Sequence, residues 1–331
     1  MTIRKGMILA AGLGTRLLPI TKEIPKPLVP VLNIPNVLHT IDLFQRVGIT
    51  DIILNLFHLS DVMENYFKNH PVSGVKISFS KEKTLMGTGG GVKLAESFFA
   101  GEPFILSNCD FVTDIDLSTI IATHQKRNAL ATMVLLNDPR RIAEYSAVGV
   151  ASDSRLCKMP KYTSQKPDRE GIFTGIHILE AETLKHLKPE PCGINDVLYP
   201  TLMQKNEGRV FGEFATDCYW YDTGDVPKFL DSSLSLLSHL KGGDKILSAL
   251  FKRQKIDPML LDPLALLGEN VDINSTARIG EGVVVGSNSK IGPKTSLARC
   301  ILLSGSEVPP GTVLEDLIYF RGNSLPAKSP A

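Results

Sequence analysis

The chain has 331 residues, enough for about two domains at roughly 150 residues each. Hydrophobic residues make up 43% and charged residues 21%, an ordinary globular mix that excludes disorder of the whole chain. The 36 Lys and Arg against 35 Asp and Glu leave a net charge of +1, which removes the electrostatic case for a nucleic acid or an anionic membrane as the main partner. No apolar run approaches the roughly 18 residues of a membrane span. The run after Arg4 and Lys5 stops at Gly12, too short for a secretory signal. Cys109, Cys157, Cys192, Cys218 and Cys300 are widely spaced, with no CxxC. That argues against a disulfide framework or a zinc site and for a reducing cytoplasm.

The first half alternates strand-like and helix-like segments. Met7-Ile8-Leu9-Ala10-Ala11 reads as a buried strand ending in glycines. Residues 37–47 carry apolar side chains at helical spacing, and Gly48 stops them. Strands are expected at 51–57, 75–79 and 103–106, and helices at 61–68 and 92–99. This alternation implies an α/β fold with a mostly parallel sheet. Ligands in such sheets sit beyond the C-terminal strand ends. Further strands are expected at 130–137, 147–151 and 173–179, with a polar, lysine-rich mobile loop at 157–171. A helix is expected at 225–240, and Lys241-Gly242-Gly243 marks a break. The expected organisation is a first domain over 1–240, a connector over 241–268, a repeat domain over 269–320 and a tail over 321–331.

The repeat has a period of six. Ile273, Ile279, Val285, Ile291, Leu297 and Leu303 recur, followed by Asn274, Gly280, Gly286, Gly292, Ala298 and Ser304. A second row runs Val271, Ala277, Val283, Ser289, Thr295, Ile301. Neither a helix nor a flat strand gives this period, whereas a triangular parallel β-helix does. About two coils are expected, and so short a solenoid packs on another domain or subunit.

The strongest local motif is Leu9-Ala10-Ala11-Gly12-Leu13-Gly14-Thr15-Arg16, followed by Pro25-Lys26-Pro27. Two glycines let backbone pass close to a ligand, and successive N–H groups can cradle phosphate oxygens. Arg16 and Lys26 supply two charges for a polyphosphate. A dinucleotide fingerprint would need glycine where Leu17 stands, and the GKS or GKT of a Walker loop is absent.

These residues resemble the sugar-1-phosphate nucleotidyltransferase family. The resemblance extends over the chain and implies a Rossmann-like nucleotidyltransferase domain followed by a short left-handed parallel β-helix of hexapeptide repeats. Gly12-Leu13-Gly14-Thr15-Arg16 with Lys26-Pro27 matches the main signature. Gly87-Thr88-Gly89-Gly90 matches the base and ribose loop. Asn108-Cys109-Asp110 lies where the family carries a metal aspartate, with Cys109 replacing a common glycine. Phe173-Thr174-Gly175-Ile176 resembles its sugar-binding strand, and Trp220-Tyr221-Asp222-Thr223-Gly224 the segment with a second metal aspartate.

The resemblance implies that Leu9, Ala10, Ala11, Gly12, Gly14, Thr15, Arg16, Glu82, Gly87 and Thr88 bind the nucleotide. It implies that Arg16, Lys26 and Asp110 are catalytic and that Asp110 and Asp222 hold Mg²⁺. Two carboxylates with phosphate oxygens and water suit Mg²⁺. Asp114 and Asp116 read as turn or cap residues, although either is also a candidate ligand. Many members carry Glu-Lys-Pro, whose lysine meets the sugar phosphate. Here the loop reads Lys158-Met159-Pro160-Lys161, so Lys158 and Lys161 are both candidates, with Gly175 and Asn195 in the sugar pocket. His177 and Trp220 read as packing residues.

The expected substrates are a nucleoside triphosphate and a sugar 1-phosphate, and the expected assembly is a homo-oligomer through the β-helix. Related uridylyl- and thymidylyltransferases often carry glutamine five residues before the loop glycine, where this chain has Glu82. A carboxylate suits a base edge that presents donors, as guanine does. GTP with mannose 1-phosphate or a manno-heptose 1-phosphate is therefore expected. The alternative is a uridylyltransferase for N-acetylmuramate 1-phosphate or another hexose 1-phosphate. A non-catalytic regulatory subunit is the alternative of another class, disfavoured because Arg16, Lys26 and both aspartates are present. A coenzyme A-dependent acyltransferase would need a histidine on the repeat, and the last histidine is His239.

Overall fold

The computed structural model describes residues 3–205 and 208–327. In chain order the main sheet is built from β1 (Lys5–Leu9), β2 (Asp51–Leu56), β3 (Lys76–Lys81), β4 (Phe104–Asn108), β5 (Ala131–Leu136), β6 (Val148–Val150), β7 (Leu156–Met159), β8 (Tyr162–Thr163), β9 (Arg169–Leu179) and β10 (Val210–Ala215). Helices α1 (Asn36–Gln45), α2 (Ser60–Asn69), α3 (Gly87–Leu94), α4 (Leu117–Lys126), α5 (Ile194–Gln204), α6 (Val226–Lys241) and α7 (Lys245–Arg253) connect or follow them.

The sheet order is β8-β7-β6-β9-β4-β1-β2-β3, with β5 beside β9 and β10 beside β5. Strands β4, β1, β2 and β3 pair in parallel, as the alternating pattern predicts. Strand β9 breaks the run by pairing antiparallel with β4 and β5. Strand β1 lies between two neighbours, so Met7 and Ile8 are wholly buried. Its last residue, Leu9, stands level with Asn55 of β2 and Asn108 of β4. Three strands thus end together, and the loops that leave them start from one edge.

Two expectations change. Residues 157–171 are not a loop: they contain β7, β8 and the start of β9, joined as antiparallel ribbons. These strands lie toward one end of the sheet, where the outer strand β8 has a neighbour on one side only. β8 and the start of β9 are partly solvated and polar, and the buried β7 is only four residues long with Lys158 inside it, so no clear period shows. Gly87-Thr88-Gly89-Gly90 is not a loop either but the first turn of α3. Its glycines admit the segment 190–194. A Cβ on Gly87 would lie 2.6 Å from the Cys192 carbonyl oxygen, and one on Gly90 would lie 2.4 Å from that of Glu190.

Capping follows sequence. Asp116 caps α4 by accepting from the Ser118 N–H, Asp225 caps α6 through Lys228 N–H, and Asp244 caps α7 through Ile246 and Leu247.

After Arg253 the chain forms short strands. Asp272 pairs in parallel with Lys290, which pairs with Glu307, at steps of 18 and 17 residues. Ala265 pairs with Val283 and Val283 with Cys300 at the same spacing. Eighteen residues are three hexapeptides. The repeated aliphatics Val285, Ile291 and Leu297 are buried, with Ile273 and Ile279 packed against them. Buried Ser289 and Thr295 in the second row donate to the carbonyls of Gly286 and Pro309. Residues 323–326, placed in the expected tail, form a strand antiparallel to 313–320. Residues 328–331 of that tail lie outside the described residues.

Backbone packing divides the chain into two units. One takes in the chain up to Leu13, Thr40–Cys109 and Thr113–Trp220; the other takes in Gly14–His39, Asp110–Val112 and the chain from Tyr221 onward. The division does not fall at residue 240. Within the second unit, Asn33 donates to the Val285 carbonyl at 3.0 Å and Arg321 pairs with Glu23. The segment that carries Arg16 and Lys26 is therefore braced by the C-terminal strands.

A Cβ on Gly286 would lie 2.3 Å from the Ser304 amide nitrogen, a backbone atom that cannot yield easily. Gly286→Ala should cost about 1–3 kcal/mol. Thermal unfolding checks this: a Tm several degrees lower is expected, and an unchanged Tm would show that the strands are free to spread.

Candidate active site

Gly14 has φ +65, and a Cβ there would lie 2.7 Å from Thr21. Its carbonyl accepts from the Thr21 hydroxyl at 2.8 Å and from Leu17 N–H at 2.9 Å. This folds Thr15–Leu17 into a 3-10 turn with Arg16 exposed. A second such turn, Lys26–Leu28, carries Pro27 and presents Lys26. The Lys26 ammonium donates to Asp110 Oδ2 at 2.7 Å. Asp110 is two residues beyond the end of β4.

The Asp222 segment meets Asp110 through the backbone: Thr223 N–H donates to the Asp110 carbonyl at 2.8 Å. Thr223 is wholly buried, and its hydroxyl accepts from Asn36 at 2.6 Å. Asp222 Oδ1 accepts from Gly224 N–H at 2.7 Å, and Oδ2 lies 2.9 Å from the Lys228 ammonium. Arg16 reaches Asp225 at 3.7 Å. A Cβ on Gly224 would meet Asp222 Oδ1 at 2.8 Å and Arg16 Nη2 at 2.9 Å. So Arg16 and Asp222 meet beside Gly224, Lys228 bridges Asp222 and Asp225, and Lys26 holds Asp110.

In the first unit, Ala10 and Ala11 are buried beyond β1, whereas a Cβ on Gly12 would have no atom within 4 Å. Leu9 offers its carbonyl to the Cys109 thiol at 3.2 Å, so Cys109 fills its place with a useful donor. The Ala10 N–H donates to Asn55 Oδ1 at 2.8 Å. Asn55 Nδ2 donates to Glu82 Oε1 at 2.8 Å, and Met86 N–H donates to Glu82 Oε2 at 2.9 Å. Glu82 is only 7% exposed. Each carboxylate oxygen of Glu82, expected at the base, accepts one hydrogen bond from the protein. Gly87, with φ +66, opens α3. The Thr88 hydroxyl accepts from Ile194 N–H at 2.8 Å and thereby ties α3 to α5.

Of the residues expected at a sugar, Gly175 has φ +90 at the point where the β9–β5 register shifts. Lys158 pairs with Glu170 at 2.5 Å. Lys161 pairs with Asp196, the residue after Asn195 at the start of α5, at 3.0 Å. Asp116 is spent as a helix cap, and Asp114 Oδ1 accepts from Tyr219 N–H at 2.6 Å. His177 is buried with Nδ1 2.7 Å from the Tyr199 hydroxyl, and burial lowers its pKa to about 3. Trp220 is buried too, its indole N–H donating to the Thr174 carbonyl at 2.9 Å.

Sequence reasoning missed Lys228, Asn36 and Asn55. Asn55 left a signal, as a polar residue inside the apolar strand Ile52-Ile53-Leu54-Asn55-Leu56. Lys228 left a weaker one, three residues after a helix cap. Among the described residues no group of three or more His, Cys, Asp or Glu side chains is arranged as a metal cage. Asp110 and Asp222 are oxygen donors on adjoining backbone. They fit a hard cation that takes its remaining ligands from phosphate and water.

The nucleotidyl transferase family profile matches residues 5–239. A mannose-1-phosphate guanyltransferase of Gibberella zeae is 31% identical, covering 92% of this chain and 82% of its own length. A UTP–glucose-1-phosphate uridylyltransferase of Synechocystis is 28% identical, covering 94% and 83%. The solved structure of HddC from Yersinia pseudotuberculosis complexed with GMP-PN superposes with a TM-score of 0.57 at 20% identity, covering 71% of this chain and all of that one. With the signature turns, the strand-end aspartate and the profile agreeing, this chain belongs to the nucleotidyl transferase family.

Proposed function

We propose that the chain transfers a nucleotidyl group from a nucleoside triphosphate to a sugar 1-phosphate, releasing pyrophosphate. The observation that carries the reading is that the pairs Lys26–Asp110, Arg16–Asp225 and Lys228–Asp222 are set on adjoining backbone. Cations and hard oxygen donors set side by side are what a polyphosphate and its metal need. Gly12 adds to this: its φ is not positive and nothing packs on it, so close approach of a ligand accounts for it better than folding does.

A sugar 1-phosphate is already an anionic nucleophile at neutral pH, so no strong base is required. Its phosphate oxygen attacks the α-phosphorus, the bond to the β-phosphate oxygen breaks, and the electron pair leaves on pyrophosphate. The protein positions the reactants and offsets charge. Lys26 serves the reacting phosphates and Arg16 the departing pyrophosphate. Leu9, Ala10, Ala11, Gly12, Gly14, Thr15, Gly87 and Thr88 line the nucleotide. Lys158, paired with Glu170, and Lys161, paired with Asp196, are both candidates for the sugar phosphate, with Asn195 and Gly175 lining the sugar pocket. Mg²⁺ held by Asp110 and Asp222 would neutralise phosphate charge.

GTP with mannose 1-phosphate or a manno-heptose 1-phosphate is the favoured pair, resting on guanyltransferases at about 30% identity. UTP with a hexose 1-phosphate is the second reading, favoured by the uridylyltransferase relative. We further propose that the C-terminal strands are a short left-handed β-helix through which copies of the chain associate. A cytoplasmic location fits five cysteines that form no disulfide among the described residues.

Initial rates with each nucleoside triphosphate against a panel of sugar 1-phosphates, read as pyrophosphate release, test the substrates. GTP should be preferred, and a preference of about tenfold for UTP would reverse the assignment. Asp110→Asn and Asp222→Asn should each lower kcat roughly a hundredfold or more at saturating Mg²⁺ in folded protein. Lys26→Ala and Arg16→Ala should impair turnover with little loss of stability. Near-normal kcat in either Asn variant, checked beside its circular dichroism, would remove the metal assignment.

A further inference from the structure

The polar chain at the ends of β1, β2 and β3 has a property that single contacts do not show. Its two ends are backbone donors, the N–H groups of Ala10 and Met86. Between them stand only two side chains, Asn55 and Glu82, joined at 2.8 Å. With one contact per atom, as here, an amide donates through its nitrogen and accepts through its oxygen, whereas a carboxylate accepts through both oxygens. A chain closed by donors at both ends needs one bridging group that accepts on both sides. Two amides cannot do this, because one donor would always face another. Asn55 with Glu82 satisfies every contact.

The pair is buried and closely packed. Asn55 is 2% exposed and Glu82 7%. A Cβ on Gly91 of α3 would lie 2.7 Å from Glu82 Oε1 and 2.8 Å from Asn55 Nδ2, so the helix leaves room for this pair by lacking a side chain there. A buried donor without an acceptor is costly, and a buried charge without donors costs more. The pair thus fixes two backbone points, Ala10 at the end of β1 and Met86 immediately before Gly87.

We infer that Glu82 is a positioning residue: through Asn55 and the Met86 amide it sets the Ala10 and Gly87 turns that meet the nucleotide, and it does not choose between bases. This rests on the reading of those turns as nucleotide-binding. The inference separates cleanly from base recognition by the carboxylate, because the two differ in which nucleotides suffer. A positioning role affects GTP and UTP alike. A recognition role changes their ratio.

The hydrogen-bond polarity also supplies its own rescue. Glu82→Gln leaves one donor facing another. Asn55→Asp alone sets two carboxylates against each other. Together they restore the chain with its direction reversed: the acid at 55 accepts from Ala10 and from the amide at 82, whose oxygen accepts from Met86. The net charge of the pair is unchanged.

The experiment measures three things on wild type, Glu82→Gln, Asn55→Asp and the double variant. They are KM and kcat with GTP and with UTP, and hydrogen exchange of the Ala10 and Met86 amides without ligand. Glu82→Gln should raise KM for both nucleotides by about tenfold, leave their ratio unchanged and speed exchange at Met86. The double variant should recover most of both losses. A changed GTP-to-UTP ratio with exchange unchanged would overturn the inference, as would a double variant no better than the worse single one. If wild type turned over no nucleotide, the nucleotidyltransferase reading would fall, while exchange in the four proteins would still decide whether the pair positions the backbone. Unchanged exchange in Glu82→Gln would refute it.

Discussion

The parallel register of β1 between β2 and β4 is the constraint on which the chemistry depends. It sets Leu9, Asn55 and Asn108 at one level. The sheet is buried there, so the strands are continuous apolar runs, and the first residues free to carry chemistry are those at and beyond the strand ends. Ala10, Asn55 and Asp110 occupy such positions. A slip of one residue in β2 would reverse its faces and withdraw Asn55 from Ala10. The polar groups near the strand ends are therefore consequences of strand pairing, not additions to it.

Glycines in this chain divide by what they meet. Gly14, Gly87, Gly90 and Gly91 are required by neighbouring protein atoms or by positive φ. Gly12 is required by neither. Sequence alone could not separate these cases, since a GxG motif looks the same whether it admits a ligand or another turn of chain. The same holds for the aspartates. Asp116 and Asp225 cap helices, while Asp110 pairs with a lysine beside the Asp222 segment.

The period-six repeat, the parallel strands and the signature turns were legible because each is a local pattern with one packing solution. The end of the first helix was legible from Gly48, whereas the helix that Asp116 caps was not expected. Three further things were not legible. The ribbon at 156–171 was obscured because β7 is short and carries Lys158 among buried Leu156, Cys157 and Met159, while β8 and the start of β9 take polar residues. The membership of Gly14–His39 in the C-terminal unit rests on contacts such as Asn33 to Val285, which no local pattern announces. The bonds of Glu82 were not legible, because its partners, Asn55 and the Met86 amide, lie on separate elements that only the sheet brings together. A carboxylate near a Gly-rich turn resembles a ligand contact until its acceptors are counted.

The central claim is that Asp110 and Asp222, now held by Lys26 and Lys228, are the protein ligands of a catalytic cation. The most direct measurement is a crystal structure with Mn²⁺ and a non-hydrolysable GTP analogue, with the cation located by its anomalous signal. The account predicts a peak bonded to an oxygen of each carboxylate at roughly 2.1 Å, the remaining ligands being phosphate oxygens and water. A cation held by the nucleotide alone, with Lys26 still on Asp110 and Lys228 still on Asp222, would contradict it.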